Sequence, residues 1–178
     1  MSNEFLIWLA GFIDGDGSIH VGIREQKVST NSYIAVRPIL NVTQHIDCKW
    51  ICDHIKDELG LGSVYVANRN NASAKATWQT LRIDDMINVL EQIQPYLRLK
   101  KRQANMVLPV LKAWSSEMQT GRRGHNMYGG ERLRSQKTVM NMIKVATTLN
   151  SNFRNSANAR GYKTFEEWKP IVKRLYPR

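Results

Sequence analysis

The spacing of apolar residues changes several times along the chain. Phe5, Trp8, Leu9 and Phe12 recur at i, i+3, i+4 and i+7, which predicts a helix over residues 3–13. Asp14-Gly15-Asp16-Gly17 reads as its stop. From Ser18 to Arg24 the period falls to two, with Ile19, Val21 and Ile23 on one side and His20, Gly22 and Arg24 on the other. That pattern predicts a half-buried strand. A polar turn over 26–32 leads to a second alternating stretch, Tyr33 to Thr43. Here Ile34, Val36, Leu40 and Val42 face inward, and Ala35, Arg37, Ile39, Asn41 and Thr43 face outward. Helical spacing returns over 47–59 through Trp50, Ile51, Ile55 and Leu59, with Gly60 as the cap. Residues 63–69 and 75–83 predict a hairpin. Helices follow over 84–93, 103–118, 135–149 and 164–175, although Pro109 and Pro170 lie inside two of them. The order α-β-β-α-β-β-α-α-α-α predicts an α+β fold, an antiparallel sheet with helices on one face.

Composition narrows the class. A chain of 178 residues buries roughly 70% of its unfolded surface and needs no disulfide staples. No apolar run approaches the ~18 residues of a membrane span. Asp14 and Asp16 close the apolar N-terminal stretch where a signal peptide requires small residues. With only Cys48 and Cys52, a reducing compartment is expected, and the Asn41 and Asn71 sequons read as chance. The charge is divided unevenly. Residues 1–97 hold 8 Lys and Arg against 11 Asp and Glu, whereas residues 98–178 hold 18 against 4. The net charge of +11 therefore lies wholly in the second half. Many of its basic residues sit in polar stretches rather than opposite an apolar face. A nucleic acid fits this better than a membrane surface. The domain expectation is a core over 1–119 and a basic helical extension, 120–178, packed on it.

Leu9-Ala10-Gly11-Phe12-Ile13-Asp14-Gly15-Asp16-Gly17 resembles the signature of the LAGLIDADG homing endonucleases. Two further stretches resemble the single-motif, homodimeric branch in the right order: Asn41-Val42-Thr43-Gln44, and Gln94 to Lys100 followed by Gln103-Ala104-Asn105. The resemblance covers roughly residues 3–115. It implies an αββαββα core whose antiparallel sheet binds DNA, with extra C-terminal helices.

Physical chemistry points the same way. Gly11 inside a helix costs about 1 kcal/mol relative to Ala, and close helix–helix packing is a reason to keep it. Asp14 and Asp16 face the negative end of the helix dipole, which is unfavourable by a few tenths to ~1 kcal/mol. A bound cation would reverse that sign. If two copies of the helix pack through Gly11, both Asp16 carboxylates meet near the two-fold axis, and oxygen ligands select a hard ion, Mg²⁺ foremost. The expected dimer interface is Trp8, Gly11 and Phe12.

The resemblance assigns metal binding to Asp16 and the Gly15 carbonyl, and catalytic roles to Asp16, Gln44 and Lys100. Mg²⁺ is the expected cofactor, with Mn²⁺ as a substitute. The implied reaction is hydrolysis of both strands of a long, pseudo-palindromic double-stranded DNA target, leaving short 3′ overhangs. Gln44 can order water and Lys100 can stabilise developing phosphate charge. At the position where the family often carries another basic residue, this chain has Cys48 followed by Lys49.

The polar strand faces supply the expected DNA contacts. They are His20, Gly22, Arg24 and Gln26 on the first strand, Ala35, Arg37 and Asn41 on the second, and Tyr65, Arg69, Lys75, Thr77 and Gln79 on the hairpin. A β-ribbon fits the major groove, where Arg suits guanine and Asn or Gln suits adenine. Arg98, Lys101 and Arg102 are expected at phosphates. Zinc is rejected for His45, Cys48 and Cys52, whose spacing matches no standard site. Trp50 and Trp78 read as core, and Phe153, Tyr162, Phe165 and Trp168 as packing anchors. The alternatives are a maturase that binds its intron RNA and a non-cleaving DNA-binding protein of the same fold. All three readings place the protein inside the cell, with the nucleic acid, without a membrane partner.

Overall fold

A computed structural model describes residues 1–28, 31–67, 73–80, 82–119, 131–132, 135–149 and 163–176. The helices are α1 (Asn3–Asp16), α2 (Lys49–Leu59), α3 (Ile83–Ile93), α4 (Lys101–Gln119), α5 (Gln136–Leu149) and α6 (Phe165–Leu175). The strands are β1 (Gly17–Val28), β2 (Asn31–His45), β3 (Ser63–Ala67), β4 (Lys75–Thr80) and β5 (Glu131–Arg132). The sheet order is β1-β2-β4-β3, and β5 pairs with β2 antiparallel at Ala35 and Val36. Two compact units result: Met1–Ile19 with Pro38–Leu108, and His20–Arg37 with Pro109–Arg178. Among the described residues, no helix is long and apolar enough to cross a membrane.

In the first unit, α1 begins at Ser2, whose hydroxyl accepts the Phe5 N–H at 3.2 Å. It buries Phe5, Leu9, Ala10 and Ile13 and packs with α3. The expected stop at residue 13 is corrected: the helix runs on to Asp16. Asp14 binds N–H groups of a distant segment, so its carboxylate does not compete for the helix's own backbone. The chain leaves the helix at Gly17, where an added Cβ would lie 2.7 Å from the Ile13 Cα. Helix α2 packs on β3 and β4 through Cys52, Ile55 and Leu59 and ends at Gly60, φ +65°.

Trp78 is buried as expected, but Trp50 is 63% exposed, which corrects its reading as core. At 3.6 residues per turn, Trp50 lies about 180° from the face formed by Cys52, Ile55 and Leu59. Cys52 occupies the core place given to Trp50.

In the second unit, α5 packs with α6, and the buried residues include Val21, Tyr33, Ile34, Val36, Trp114, Val139, Met142, Ile143 and Trp168. A capping box at Thr164 and Glu167 opens α6. Its far end holds the β1–β2 hairpin: Arg174 pairs with Glu25 at 2.8 Å, and the Tyr176 hydroxyl accepts the Ile34 N–H at 3.4 Å. Trp168 is the packing anchor expected of it, while Phe153 and Tyr162 lie outside the described residues.

Candidate active site at the end of the first helix

The site is assembled by three segments of the first unit. Side chains alternate along β2, so Gln44 falls on the same side as buried Leu40 and Val42. At the strand's end it reaches α1, and its Nε2 donates to Asp16 Oδ2 at 2.9 Å. Asp16 and Gly15 are exposed at the last turn of α1, and nothing lies within 4 Å of a Cβ added at Gly15. Lys100 directly precedes α4, whose Ala104 N–H donates to its carbonyl at 3.0 Å. The Lys100 Nζ donates to the Asp14 carbonyl at 2.6 Å. The three expected catalytic side chains therefore converge on one helix end.

Asp14 is the residue whose role the sequence did not disclose. It is 8% exposed, and its carboxylate accepts the N–H of Arg98 at 2.5 Å and of Lys100 at 2.7 Å. Burial pushes this carboxyl up, but the backbone donors of Arg98, Lys100 and Leu99, with the nearby Lys100 charge, outweigh it and hold it below its ordinary value. The α1 helix has no basic residue in its own last turn, so Lys100 supplies the cation that its dipole favours there. Asp14 is thus occupied within the fold, whereas Asp16 is presented to solvent.

An exposed carboxylate beside a helix-end carbonyl, with open space around it, fits a hard divalent ion. Among the described residues, no three His, Cys, Asp or Glu side chains cluster as a metal set. Cys52 is buried with its Sγ against the Val42 and Ala76 carbonyls, and burial raises its thiol pKa. Lys49 is engaged by both oxygens of Asp53, at 2.7 and 2.6 Å.

Along α1, Trp8 stacks on Phe12 with ring centroids 5.3 Å apart, and the His54 ring from α2 meets Trp8 edge-on at 5.5 Å. Trp8 is 37% exposed and Ile7 50%, and nothing lies within 4 Å of a Cβ added at Gly11. The helix presents an open, partly apolar face.

The strand register places several expected DNA contacts of the first unit abreast. Asn41 pairs with Gln79, Tyr65 with Thr77, and His45 with Lys75, all on the side opposite Val42, Val64 and Trp78. In the second unit, Gln26 joins the Tyr33 hydroxyl at 2.6 Å and, with its amide turned, the Arg24 guanidinium at 3.1 Å. Burial pushes the His20 imidazole below its ordinary pKa. Two positions are less accessible than their outward phase predicts: Ala35 is 5% exposed and Thr77 4%. Both sit in strands paired on two sides, and Thr77 shares a hydrogen bond with Thr43 at 2.9 Å. Arg24, Arg98, Lys101, Arg102, Lys75 and Tyr65 are exposed; Gly22, Arg37 and Gln79 are half-buried; Arg69 lies outside the described residues.

The family model of LAGLIDADG endonucleases matches residues 9–108, more than half of the chain. The chain belongs to this family. Among LAGLIDADG relatives, it is 38% identical over 112 residues to DNA endonuclease I-CreI of Chlamydomonas reinhardtii, covering 62% of this chain and 64% of that one. It is 35% identical over 108 residues to DNA endonuclease I-CvuI of Chlorella vulgaris, covering 59% and 62%. The sequence matches thus span less than two thirds of either relative. The fold likeness reaches further. The crystal structure of homing endonuclease I-CvuI in complex with its target aligns with a TM-score of 0.72 at 23% identity, covering 97% of this chain and 95% of that one. The archaeal intron-encoded homing endonuclease I-Vdi141I, complexed with DNA, gives 0.69 at 18% identity, covering 98% of each. The LAGLIDADG fold therefore extends beyond residue 108, where the family's sequence match ends.

Proposed function

We propose that this chain is a site-specific, divalent-metal-dependent endonuclease that acts as a homodimer on double-stranded DNA. The observation that carries the reading is the convergence of Asp16, Gln44 and Lys100 at the exposed end of α1. The Asp16 carboxylate and Gly15 carbonyl of each copy would hold the metal, Mg²⁺ foremost. A hard ion bound there supplies Lewis-acid polarisation of the scissile phosphodiester. Two copies packed through the Trp8, Gly11 and Phe12 face bring two Asp16 carboxylates to one centre. One catalytic set then serves each strand, and an isologous dimer fits a pseudo-palindromic target.

The chain's own groups do the rest. Gln44 holds the Asp16 carboxylate in place through its amide N–H and keeps its carbonyl oxygen available to orient a water. Lys100 provides a point charge for the developing negative charge on phosphate. Arg98, Lys101 and Arg102 neutralise flanking phosphates, and each such contact adds about −0.9 to the log–log salt slope. Arg24, Gln26 and Arg37 in one unit, and Asn41, Tyr65, Lys75 and Gln79 in the other, present donors and acceptors suited to base edges. His20 stays neutral on this face and offers one donor and one acceptor rather than a charge.

The experiment is a cleavage selection. The purified protein is incubated with a plasmid library carrying a random-sequence insert, and with the joined sequences flanking its reading frame, in Mg²⁺, Mn²⁺ or EDTA. The reading predicts linear products with short staggered 3′ ends at one long sequence in Mg²⁺ or Mn²⁺, and none in EDTA or with Asp16→Asn. Binding without cutting would replace it with a DNA-binding protein of the same fold. Affinity for intron RNA alone would replace it with a maturase.

A further inference from the structure

We propose that Asp14 is a positioning residue: it fixes Lys100 beside Asp16 through a clamp that joins α1 to the segment before α4. This deepens the nuclease reading and rests on it. Asp14 shares its motif with Asp16, yet the two face different surroundings. Both Asp14 carboxylate oxygens are taken, one by the Arg98 N–H at 2.5 Å and the other by the Lys100 N–H at 2.7 Å. A buried carboxylate with both oxygens occupied inside its own chain is not presented to a metal or to phosphate.

The segment that it grips has few partners of its own. Helix α3 closes with the Leu97 N–H donating to Ile93, and α4 begins with the Ala104 N–H donating to Lys100. Between these bonds, the N–H groups of residues 98–100 precede a helix whose first turn leaves donors unpaired. Asp14 supplies their acceptor. The same residue holds the other end of Lys100, because its carbonyl accepts the Lys100 Nζ at 2.6 Å. Two hydrogen bonds thus tie the backbone and the side chain of Lys100 to Asp14, and a third ties the Arg98 backbone beside it.

Asp16 lies two residues further along the same helix, so the place of Lys100 relative to the Asp16 carboxylate is set by α1 itself. A long, flexible side chain would otherwise sample many rotamers on an exposed loop. Held at the helix end, the ammonium starts close to where phosphate charge develops. A displacement of about 1 Å at such a group costs about 10²-fold in rate.

A double-mutant cycle separates positioning from plain structural support. Single-turnover cleavage of a linear duplex carrying the library-selected site is measured for wild type, Asp14→Asn, Lys100→Met and the double variant. Affinity for the same duplex in EDTA and hydrogen exchange of the Lys100 amide are measured alongside. If Asp14 acts through Lys100, each single variant slows cleavage by about 10²-fold. The double variant is then no slower than the singles, duplex affinity in EDTA is unchanged, and the Lys100 amide exchanges faster in Asp14→Asn. Losses that multiply to about 10⁴-fold, or an equal fall in duplex affinity, would overturn the proposal. Unchanged cleavage by Lys100→Met, with wild type still cutting, would remove the role of Lys100 and this proposal with it. Failure of wild type to cut would instead remove the nuclease reading. If Asp14→Asn does not fold, Asp14→Glu carries the same cycle, since it keeps the charged acceptor and moves it by one methylene.

Discussion

Gly11→Ala is predicted to have opposite effects on folding and on assembly. Within one chain, a Cβ at Gly11 meets nothing within 4 Å, so the methyl adds no clash. Gly in a helix interior is less stable than Ala by about 0.5–1 kcal/mol, and the substitution returns that amount to the folded protomer. For a chain of this length, this raises the midpoint by roughly 1–4 °C. In the proposed dimer the same position faces the partner's helix at close range. Two methyls, one from each copy, then enter a packed interface at about 1–3 kcal/mol each. At 1.4 kcal/mol per decade, the dimer dissociation constant rises by more than about tenfold. Sedimentation equilibrium measures the dimer, and urea unfolding below the dissociation constant measures the protomer. A more stable protomer with weakened dimerisation is the expected result. Unchanged or tighter dimerisation would refute the placement of Gly11 against a partner helix.

Three further outcomes follow from the geometry. Gly17→Ala sets a methyl 2.7 Å from the Ile13 Cα, a backbone atom that cannot swing aside, and is expected to cost about 1–3 kcal/mol in urea unfolding. Trp78→Ala removes a fully buried indole and should cost about 3–5 kcal/mol, whereas Trp50→Ala, at a position 63% exposed, should stay within about 0.5 kcal/mol in the same assay. His20 has its pKa lowered by burial, so the native state resists its protonation. Its contribution is complete above the unfolded-state pKa of about 6.5 and falls as pH drops below it. His20→Gln should therefore lose less stability than wild type between pH 7.5 and pH 5.5 by urea unfolding.

What could be read from the sequence was local. The period-two alternation in β1 and β2 and the helical spacing in α1, α3 and α5 each lie within a few residues, and the structure keeps them, although β1 runs on to Val28 and β2 starts at Asn31, inside the stretch 26–32 expected as a turn. The motif, with Gln44 and Lys100 in their own short resemblances, points to the end of α1, where the structure brings those side chains together. The spacing misplaces Trp50 because Cys52 packs inward as a small apolar residue; its burial turns the inner face of α2 and leaves Trp50 outside. Ala35 and Thr77 followed the outward phase, but burial in a doubly paired strand depends on neighbours that alternation does not reveal. Strand β5 is two residues long and too short to carry a period. Asp14 was legible only as part of a helix stop, because its partners lie 84 and 86 residues away and are backbone N–H groups, which no side-chain pattern records.

The central claim, that two copies each contribute one Asp16 to the cleavage of duplex DNA, is tested most directly by a mixed dimer. Differently tagged wild-type and Asp16→Asn chains are co-expressed, the heterodimer is isolated, and supercoiled plasmid bearing the selected site is added in Mg²⁺. The account predicts that the wild-type homodimer linearises the plasmid while the heterodimer nicks it or leaves it intact. Linearisation by the heterodimer at the wild-type rate would contradict it.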